Sequence, residues 1–271
     1  MKSPLHKILG VDKALIGMVH VGALPGSPGS RQSIPALAKA AAHEARVLIS
    51  AGFDAVMIEN MHDAPYVNAP HHPAVTAAMT AVGLAVAEAI GDAPMGVQVL
   101  SLGSREALAV ALAVGAQFIR VENFAFAHVA DEGLMPEAQA GPLLRYRRSI
   151  GAQHIAIFAD IKKKHASHAL TADLPLADAI AGAEFFGADG VIITGAATGR
   201  PTDPDDLAEA RAATRLPVLV GSGVTPATVQ SLFRHADALI VGSSIKRSGH
   251  WSQPVDPRRA AAIAKAKAKA R

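Results

Sequence analysis

Cysteine is absent from this sequence, and aromatic residues are scarce. The lack of cysteine in 271 residues excludes disulfides, thiolate metal sites and cysteine nucleophiles, and it leaves the redox compartment open. Only 4% of the residues are aromatic although 50% are hydrophobic, because much of the apolar content is alanine. Such a composition suits helices that pack closely against a sheet through small side chains.

Long apolar segments are also lacking. The N-terminus, residues 1–21, has no apolar core long enough for a signal peptide. No run of about 18 or more bulky apolar residues predicts a membrane span, since charged and histidine residues interrupt the alanine-rich stretches. We therefore expect a cytoplasmic protein without membrane insertion.

Charge of either sign is in little excess. The formal net charge is +3, and part of that excess lies in a basic C-terminal helix or tail, residues 257–271. A contact with nucleic acid or a membrane is one interpretation of this tail. The solvated end of a last helix is the interpretation we favour, so no nucleic-acid partner is expected.

One unit recurs eight times along the chain: a short apolar run, a loop, and an amphipathic alanine-rich segment. The length and the Val/Ile content of the runs favour buried strands. The runs occupy residues 14–21, 55–60, 95–100, 118–123, 154–161, 190–195, 217–223 and 238–244. Eight such units in about 250 residues predict a (β/α)₈ TIM barrel, formed as a single domain over residues 1–271. A doubly wound sheet would carry its glycine fingerprint after the first strand, where none is found.

The segments between the runs begin and end with helix signals. Ser33 precedes an apolar stripe that ends at Gly52, and it is predicted to cap that helix. Asp203 and Thr225 each precede a proline, so we expect a helix to start at both positions. Two long glycine- and proline-rich loops, residues 22–32 and 195–203, could close over a ligand or form ordinary exposed turns.

Two glycine-serine loops follow the last two predicted strands. Barrels of this type carry the active site at the strand C-termini, and phosphate is often bound by the loops after strands seven and eight. Backbone N–H groups in such loops favour an anion. The predicted phosphate-binding residues are Gly221, Ser222, Gly223, Gly242 and Ser243. Tight turns that bind no ligand are the alternative.

Several charged side chains are predicted to point into the barrel. Because side chains alternate along a strand, Ile119 and Val121 face the helices while the residues beside them face inward. The residues assigned to the inner face or to strand ends by this argument are His20, Glu59, Gln98, Arg120, Glu122, Asp160, Lys162 and Thr194. Inward charges cost several kcal/mol unless they are paired, so a polar active site is expected.

Different roles are open to these charges. Glu59 or Asp160 could act as a general base. Lys162 is expected to bind phosphate or carboxylate, although a Schiff base is the alternative. Arg120 could act in the active site or, equally, belong to a structural ion network with Glu122 and Asp160. No cofactor is required by the sequence. A divalent metal ion is nevertheless possible, with Glu59, Glu122, Asp160 and His20 as candidate ligands.

Eight segments of the sequence, spread over nearly the whole chain, resemble those of the BtpA family. The matching segments are GMVHVGALPGSP (17–28), IENMHDAPY (58–66), FIRVEN (118–123), DEGL (131–134), LLRYRRSIGA (143–152), ADIKKKHA (159–166), VIITGAATG (191–199) and PVLVGSGVT (217–225). The resemblance implies a TIM barrel of the phosphate-binding type. It carries over the positions His20, Glu59, Asn60, Asp63, Arg120, Asp160, Lys162, His165, Thr194, Gly195, Ser222 and Gly223.

The resemblance also brings two kinds of function. Some family members are tied to stable accumulation of photosystem I and others to sugar metabolism. We expect a homo-oligomeric enzyme that isomerises, epimerises or cleaves a sugar or nucleoside phosphate. A non-catalytic assembly factor for a membrane complex is the alternative. The chain departs from the family after strands three and four, where Leu102, Phe124 and Phe126 predict a less polar end of the pocket.

Overall fold

Eight parallel strands close into a barrel in this computed structural model, which describes residues 3–195 and 202–269. The strands, in chain order, are β1 (Ala14–His20), β2 (Ala55–Glu59), β3 (Met95–Gln98), β4 (Phe118–Val121), β5 (His128–Ala130), β6 (Gly133–Met135), β7 (Ala156–Ile161), β8 (Ala166–Ser167), β9 (Gly190–Ile193), β10 (Val218–Val220) and β11 (Ala238–Val241). All but β5, β6 and β8 belong to the barrel, which closes where β1 pairs with β11. The TIM barrel and its eight strand positions are confirmed.

Helices surround the barrel and close one end of it. They are α1 (Pro4–Leu9), α2 (Ile34–Ala51), α3 (Pro73–Ile90), α4 (Ser104–Val114), α5 (Ala140–Ser149), α6 (Leu176–Phe185), α7 (Pro204–Ala213), α8 (Val229–Leu232) and α9 (Pro257–Ala268). The short helix α1 packs Leu5 and Leu9 against the inner core of the barrel. Ala14, at the start of β1, belongs to the same cluster, so α1 covers the N-terminal end and leaves the C-terminal mouth for a site.

Alternation along the strands produces two apolar cores. In β1, Leu15 and Val19 pack against the helices, while Ile16 and Met18 lie inside the barrel. The interior is filled mainly by large side chains from the barrel strands, among them Met57, Phe118, Phe158, Ile192, Leu219 and Ile240. This filled interior ends where the strands carry polar residues, at their C-terminal ends.

Two of the three predicted helix starts are confirmed. The hydroxyl of Ser33 accepts a hydrogen bond from the Ala36 N–H, and the Asp203 side chain accepts one from the Asp205 N–H. The helix predicted after Thr225 was wrong, because α8 begins only at Val229. Thr225 instead donates its N–H to the Thr228 hydroxyl at 2.9 Å, which closes a turn over residues 225–228 at the barrel mouth.

A small antiparallel sheet joins the loops after β4 and β7. Its strand order is β6-β5-β8, and Ala130 pairs with both Gly133 and Ala166. The turn between β5 and β6 carries Asp131 and Glu132, which reach the main cavity. The sequence runs did not predict this sheet, since its strands have only two or three residues each.

The C-terminal helix is part of the fold and is not simply a solvated tail. In α9, Ala260 and Ile263 are buried against the barrel. Lys267 is also buried and pairs with Asp54, whose carboxylate accepts the N–H of Leu15 at 2.7 Å as well. The interpretation of the basic residues as a solvated end was therefore wrong for Lys267; the last two residues of the predicted tail, 270–271, lie outside the described part of the chain.

Helix α3 is the one described helix that is long and apolar enough to cross a membrane, with a mean hydropathy of 1.6. Much of this value comes from alanine, valine and methionine. One face of α3 buries Met79, Val82 and Val86, and the helix packs between α2 and α4. The length and the apolar composition of α3 are thus explained by its place in the helical layer of the barrel.

The close contact between β3 and β4 gives a testable prediction. A Cβ at Gly96 would overlap the ring of Phe118, which is fully buried and cannot move aside. Gly96→Ala should lower the free energy of unfolding by about 1–3 kcal/mol through overpacking. Urea denaturation measures this, with Gly141→Ala in α5 as the control, since a Cβ there meets only the flexible end of Arg145. Equal stability of the two variants would contradict the packing argument.

Candidate functional site

A cavity of about 510 Å³ opens at the C-terminal mouth of the barrel. Strand ends, the loops after β7, β10 and β11, and the first turn of α9 contribute to its wall. The residues predicted for the site that line it are His20, Glu59, Gln98, Arg120, Glu122, Asp160, His165, Gly221, Ser222, Gly223, Gly242 and Ser243. The structure thus brings together most of the predicted positions, in one cavity.

Three neighbouring strands end in polar side chains that face this cavity. The register places His20 beside Glu59 and Glu59 beside Gln98. The Nδ1 atom of His20 lies 2.8 Å from the Trp251 carbonyl oxygen, which can only accept, so Nδ1 carries the proton. The Nε2 atom of His20 lies 3.6 Å from Oε2 of Glu59. His20 therefore presents an unprotonated nitrogen to the carboxyl group of Glu59.

The protonation of these two residues follows from burial. Burial, and to a lesser extent the charge of Lys246, lowers the pKa of His20 to about 3, so the imidazole is neutral. Burial also raises the pKa of Glu59, against the opposing effect of Arg120. No described cation forms an ion pair with the Glu59 carboxylate. Glu59 is therefore suited to hold and release a proton, as a general acid or base must.

A second pair of charges lies deeper in the mouth. Arg120 donates two hydrogen bonds to Asp160, from Nε to Oδ2 and from Nη2 to Oδ1, both at 2.9 Å. Asp160 and the nearby Glu59 raise the pKa of Arg120 despite its burial. Both oxygens of Asp160 are thus engaged by one guanidinium group. Of the structural ion network that was one alternative for Arg120, the pair of Arg120 with Asp160 is present. Because its oxygens are occupied, Asp160 is less suited than Glu59 to act as the base.

Three consecutive lysines after β7 have three different environments. Lys162 donates to the Leu174 carbonyl oxygen at 2.5 Å and borders a separate, smaller cavity. Lys163 forms an ion pair with Glu122 at 3.0 Å. Lys164 lines the main cavity, and burial followed by the effect of Arg120 lowers its pKa.

The prediction that Lys162 shares the inner face with Asp160 was wrong. Strand β7 ends at Ile161, and Lys162 has a left-handed backbone conformation with φ of 45°. Alternation holds only along a strand, so this turn sends the Lys162 side chain away from the main cavity. Lys164 takes the place that the sequence argument gave to Lys162.

Four further predicted residues support the site without lining the main cavity. The Asn60 side chain accepts the N–H of Leu100 at 2.6 Å and donates to Asp63 at 2.9 Å, and Asp63 accepts the N–H of Leu24 at 2.7 Å. These bonds tie together the loops after β1, β2 and β3. Thr194 accepts the Lys164 N–H at 3.0 Å, and the Gly195 N–H donates to the Ser222 hydroxyl at 2.7 Å. Direct contact with a ligand at these four positions is not supported.

The end of the cavity near β10 and β11 is rich in hydrogen-bond donors. None of the described residues accepts a hydrogen bond from the N–H groups of Gly223, Val224 or Ser244. The Ser244 hydroxyl is buried and has no partner among the described residues. Arg259 donates from Nε to the Ser244 carbonyl oxygen at 2.8 Å and places its guanidinium group in the wall. Donors and a positive charge therefore converge here.

Residues that the sequence argument missed form the outer wall. Trp251 stacks with His250 and packs against His62, with ring centroids 5.8 and 5.1 Å apart. Asp131 and Glu132 reach the cavity from the small sheet, and Arg259 reaches it from α9. The single tryptophan of the chain was a signal that could have been used. Asp131 and Glu132 lie in the DEGL segment that resembles the family, which was a second signal, and Arg259 lies in a helix with no local motif.

Two other expectations about the site also need revision. Phe124 is buried in the outer core and Phe126 borders the smaller cavity, while Leu102 is not part of the main wall. The less polar pocket end predicted from these residues was therefore wrong. The loop proposed as a lid after β9 falls largely on residues 196–201, which lie outside the described residues.

The three carboxylates proposed as metal ligands are not assembled around one point. Within residues 3–195 and 202–269, no group of three or more His, Asp or Glu side chains is arranged to hold a metal ion. Asp160 faces Arg120, and Glu122 faces Lys163. These carboxylates are neutralised by the protein's own cations.

Comparison with known proteins now adds to this geometry. A model of the BtpA family matches residues 11–269. The chain belongs to the BtpA family. The photosystem I biogenesis protein BtpA of Synechocystis is 38% identical over 97% of this chain and 91% of its own length. An uncharacterized mitochondrial protein of Caenorhabditis elegans is 40% identical, covering 93% of this chain and 92% of its own.

Solved structures confirm the fold of this BtpA family member. Thiamine phosphate pyrophosphorylase from Pyrococcus furiosus aligns with a TM-score of 0.59 at 14% identity, covering 98% of both chains. Phosphoribosylanthranilate isomerase from the same organism aligns with a TM-score of 0.55 at 13% identity, covering 95% of this chain and 99% of its own. At such identities the likeness establishes the barrel alone.

The protonation of Glu59 predicts a pH-dependent stability. Its folded-state pKa is raised above the ordinary value of 4.5, so its stabilising contribution is present below that value and is lost as the pH rises through the folded-state pKa. Glu59→Gln removes this loss. The melting temperature of the variant minus that of the wild type should therefore increase as the pH rises above about 4.5.

Calorimetry at several pH values tests this prediction. Glu88→Gln, on the exposed side of α3, controls for the removal of one surface carboxylate. A difference for Glu59→Gln that stays constant or falls with rising pH would show that the pKa of Glu59 is not raised in the folded protein.

Proposed function

We propose that the protein is an enzyme that carries out acid/base chemistry on a small phosphorylated compound, such as a sugar phosphate or nucleoside phosphate. The observation that carries the proposal is the combination, in one cavity, of an anion-binding end and the buried carboxyl group of Glu59. Each feature alone has a structural explanation. Together they match a substrate that is held by its phosphate while a proton moves at its other end.

The proposed chemistry assigns a role to each part of the cavity. Gly223, Ser244 and Arg259 would hold the phosphate group. Glu59 would remove a proton from a carbon next to a carbonyl group, or from a hydroxyl group, and return it at another position. Negative charge that develops on oxygen would face Arg120, whose Nη1 group bonds to no described residue. Isomerisation, epimerisation or aldol-type cleavage all fit this arrangement.

The comparisons support this proposal at the level of the fold. The similar structures include enzymes whose names contain a phosphorylated compound, thiamine phosphate pyrophosphorylase and phosphoribosylanthranilate isomerase. Binding of phosphate by the last two βα loops is a recurrent feature of such barrels. The substrate, the reaction and the homo-oligomeric and cytoplasmic state of this protein stay predictions.

A non-catalytic role in assembly of a membrane complex is the second proposal, favoured by the name of the Synechocystis relative. Relatives of similar identity from Caenorhabditis elegans and Thermococcus kodakarensis are uncharacterized proteins, so the name of one relative does not assign a role to the family. An assembly factor also has no need of buried charges in a cavity, so we favour the enzyme.

The phosphate site can be tested with a pair of adjacent arginines. Arg259 lines the cavity, while Arg258 is exposed beside it and does not. Phosphorylated sugars should raise the melting temperature of the wild type, and their unphosphorylated counterparts should not. Arg259→Ala should weaken phosphate-ligand binding by about tenfold, since one charge-assisted contact is lost; Arg258→Ala should leave it unchanged.

Thermal-shift titration with a panel of phosphorylated sugars and nucleotides gives both results. Stabilisation by none of the phosphorylated compounds would contradict the proposed function. A pull-down from a membrane extract would then test the assembly proposal, which expects a stable protein partner.

A further inference from the structure

We propose that Lys164 is an amine nucleophile that forms a Schiff base with a carbonyl group of the substrate. The substrate class would then be phosphorylated ketoses and other phosphorylated carbonyl compounds. The inference rests on the proposed function of the cavity, and it names the residue and the bond through which that function would proceed.

The first observation is that Lys164 alone among three adjacent lysines has a free amine in the cavity. The Lys162 amine is bound to the Leu174 carbonyl oxygen, and the Lys163 amine is paired with Glu122. The amine of Lys164 forms neither a hydrogen bond nor an ion pair with any described residue, although it lines the main cavity. A nucleophilic amine must be able to move to the substrate and to lose its proton, and ion pairs or hydrogen bonds that hold the ammonium group oppose both.

The second observation is that the backbone fixes Lys164 in place. Lys162 and His165, on either side, have left-handed conformations, with φ of 45° and 56°. The Lys164 N–H donates to the hydroxyl of Thr194 at the end of β9. A chain turned at both ends and bonded in the middle holds this side chain toward the cavity, which explains two backbone conformations that are unusual for residues other than glycine.

The third observation concerns the charges around the amine. Two of the nearby carboxylates are neutralised, Asp160 by Arg120 and Glu122 by Lys163. The guanidinium group of Arg120 disfavours a second positive charge close to it. Burial lowers the pKa of Lys164, and Arg120 lowers it further. A larger fraction of the amine is therefore unprotonated near neutral pH than for an exposed lysine.

The chemical step balances with water as the only co-reactant. The lone pair of Lys164 Nζ attacks the carbonyl carbon, and the electron pair of the C=O bond moves to oxygen. After proton transfers, the oxygen leaves as water and a C=N⁺ bond remains. Glu59 then takes a proton from the adjacent carbon, or from a hydroxyl group as a C–C bond breaks, and the electron pair moves toward nitrogen. Water hydrolyses the imine at the end and restores the amine.

Reductive trapping tests the proposal on the full-length protein. Dihydroxyacetone phosphate, ribulose 5-phosphate and fructose 6-phosphate serve as probes, each with sodium borohydride, followed by intact mass measurement and peptide mapping. We expect a covalent adduct with at least one probe, at least about tenfold more abundant on Lys164 than on any other lysine. Unphosphorylated dihydroxyacetone should label Lys164 much more weakly.

The neighbouring lysines provide matched controls. Lys164→Arg should abolish the adduct, while Lys162→Arg and Lys163→Arg should retain it. Mapping of the wild-type protein locates the adduct even if a variant fails to fold. Adducts spread evenly over surface lysines, or none with all three probes, would overturn the inference. Thermal stabilisation by the same probes without an adduct would overturn it too, yet leave the proposed function standing.

Discussion

The charge arrangement of the barrel mouth depends on the bidentate pair between Arg120 and Asp160. Both side chains are buried, so each would cost several kcal/mol without the other. The pair joins β4 to β7 and uses both carboxylate oxygens of Asp160. Lys163 similarly pairs with Glu122, whereas neither Glu59 nor Lys164 forms an ion pair with a described lysine, arginine, aspartate or glutamate. The pair therefore decides which residues are available for chemistry.

The period of the apolar pattern was enough to predict the barrel, because eight buried strands and their helices repeat with little interruption. Alternation then placed Glu59, Arg120, Glu122 and Asp160 on the inner wall, and each of them reaches the cavity. The same rule failed at Lys162, one residue beyond the end of β7. A side chain's direction follows from sequence only while the backbone stays extended, and no residue type in the segment signals the turn at Lys162.

Other parts of the site depend on contacts between distant segments, which the sequence does not display. Arg259 belongs to α9, which reaches the mouth only because the helix is anchored to the barrel through the buried Ile263 and Lys267. Trp251 lies in the connection before α9, where its carbonyl oxygen fixes the tautomer of His20. Asn60 and Asp63 were placed in the site by the family resemblance alone. Their hydrogen bonds to neighbouring loops show that polarity at a strand end serves architecture as readily as binding.

Glu59 and Lys164, which have no ion-pair partner among the described lysines, arginines, aspartates and glutamates, favour a catalytic over a purely structural interpretation. Burial shifts the pKa of Glu59 upward and that of Lys164 downward, and each shift reflects a free-energy cost to the folded state. Apolar side chains of similar volume would fill the same space without that cost. A barrel that served only as a binding surface for another protein would gain nothing from these residues inside its mouth. A carboxyl group of raised pKa and an amine of lowered pKa share this cavity with hydrogen-bond donors that have no described partner, and perturbed groups of this kind cluster at functional sites.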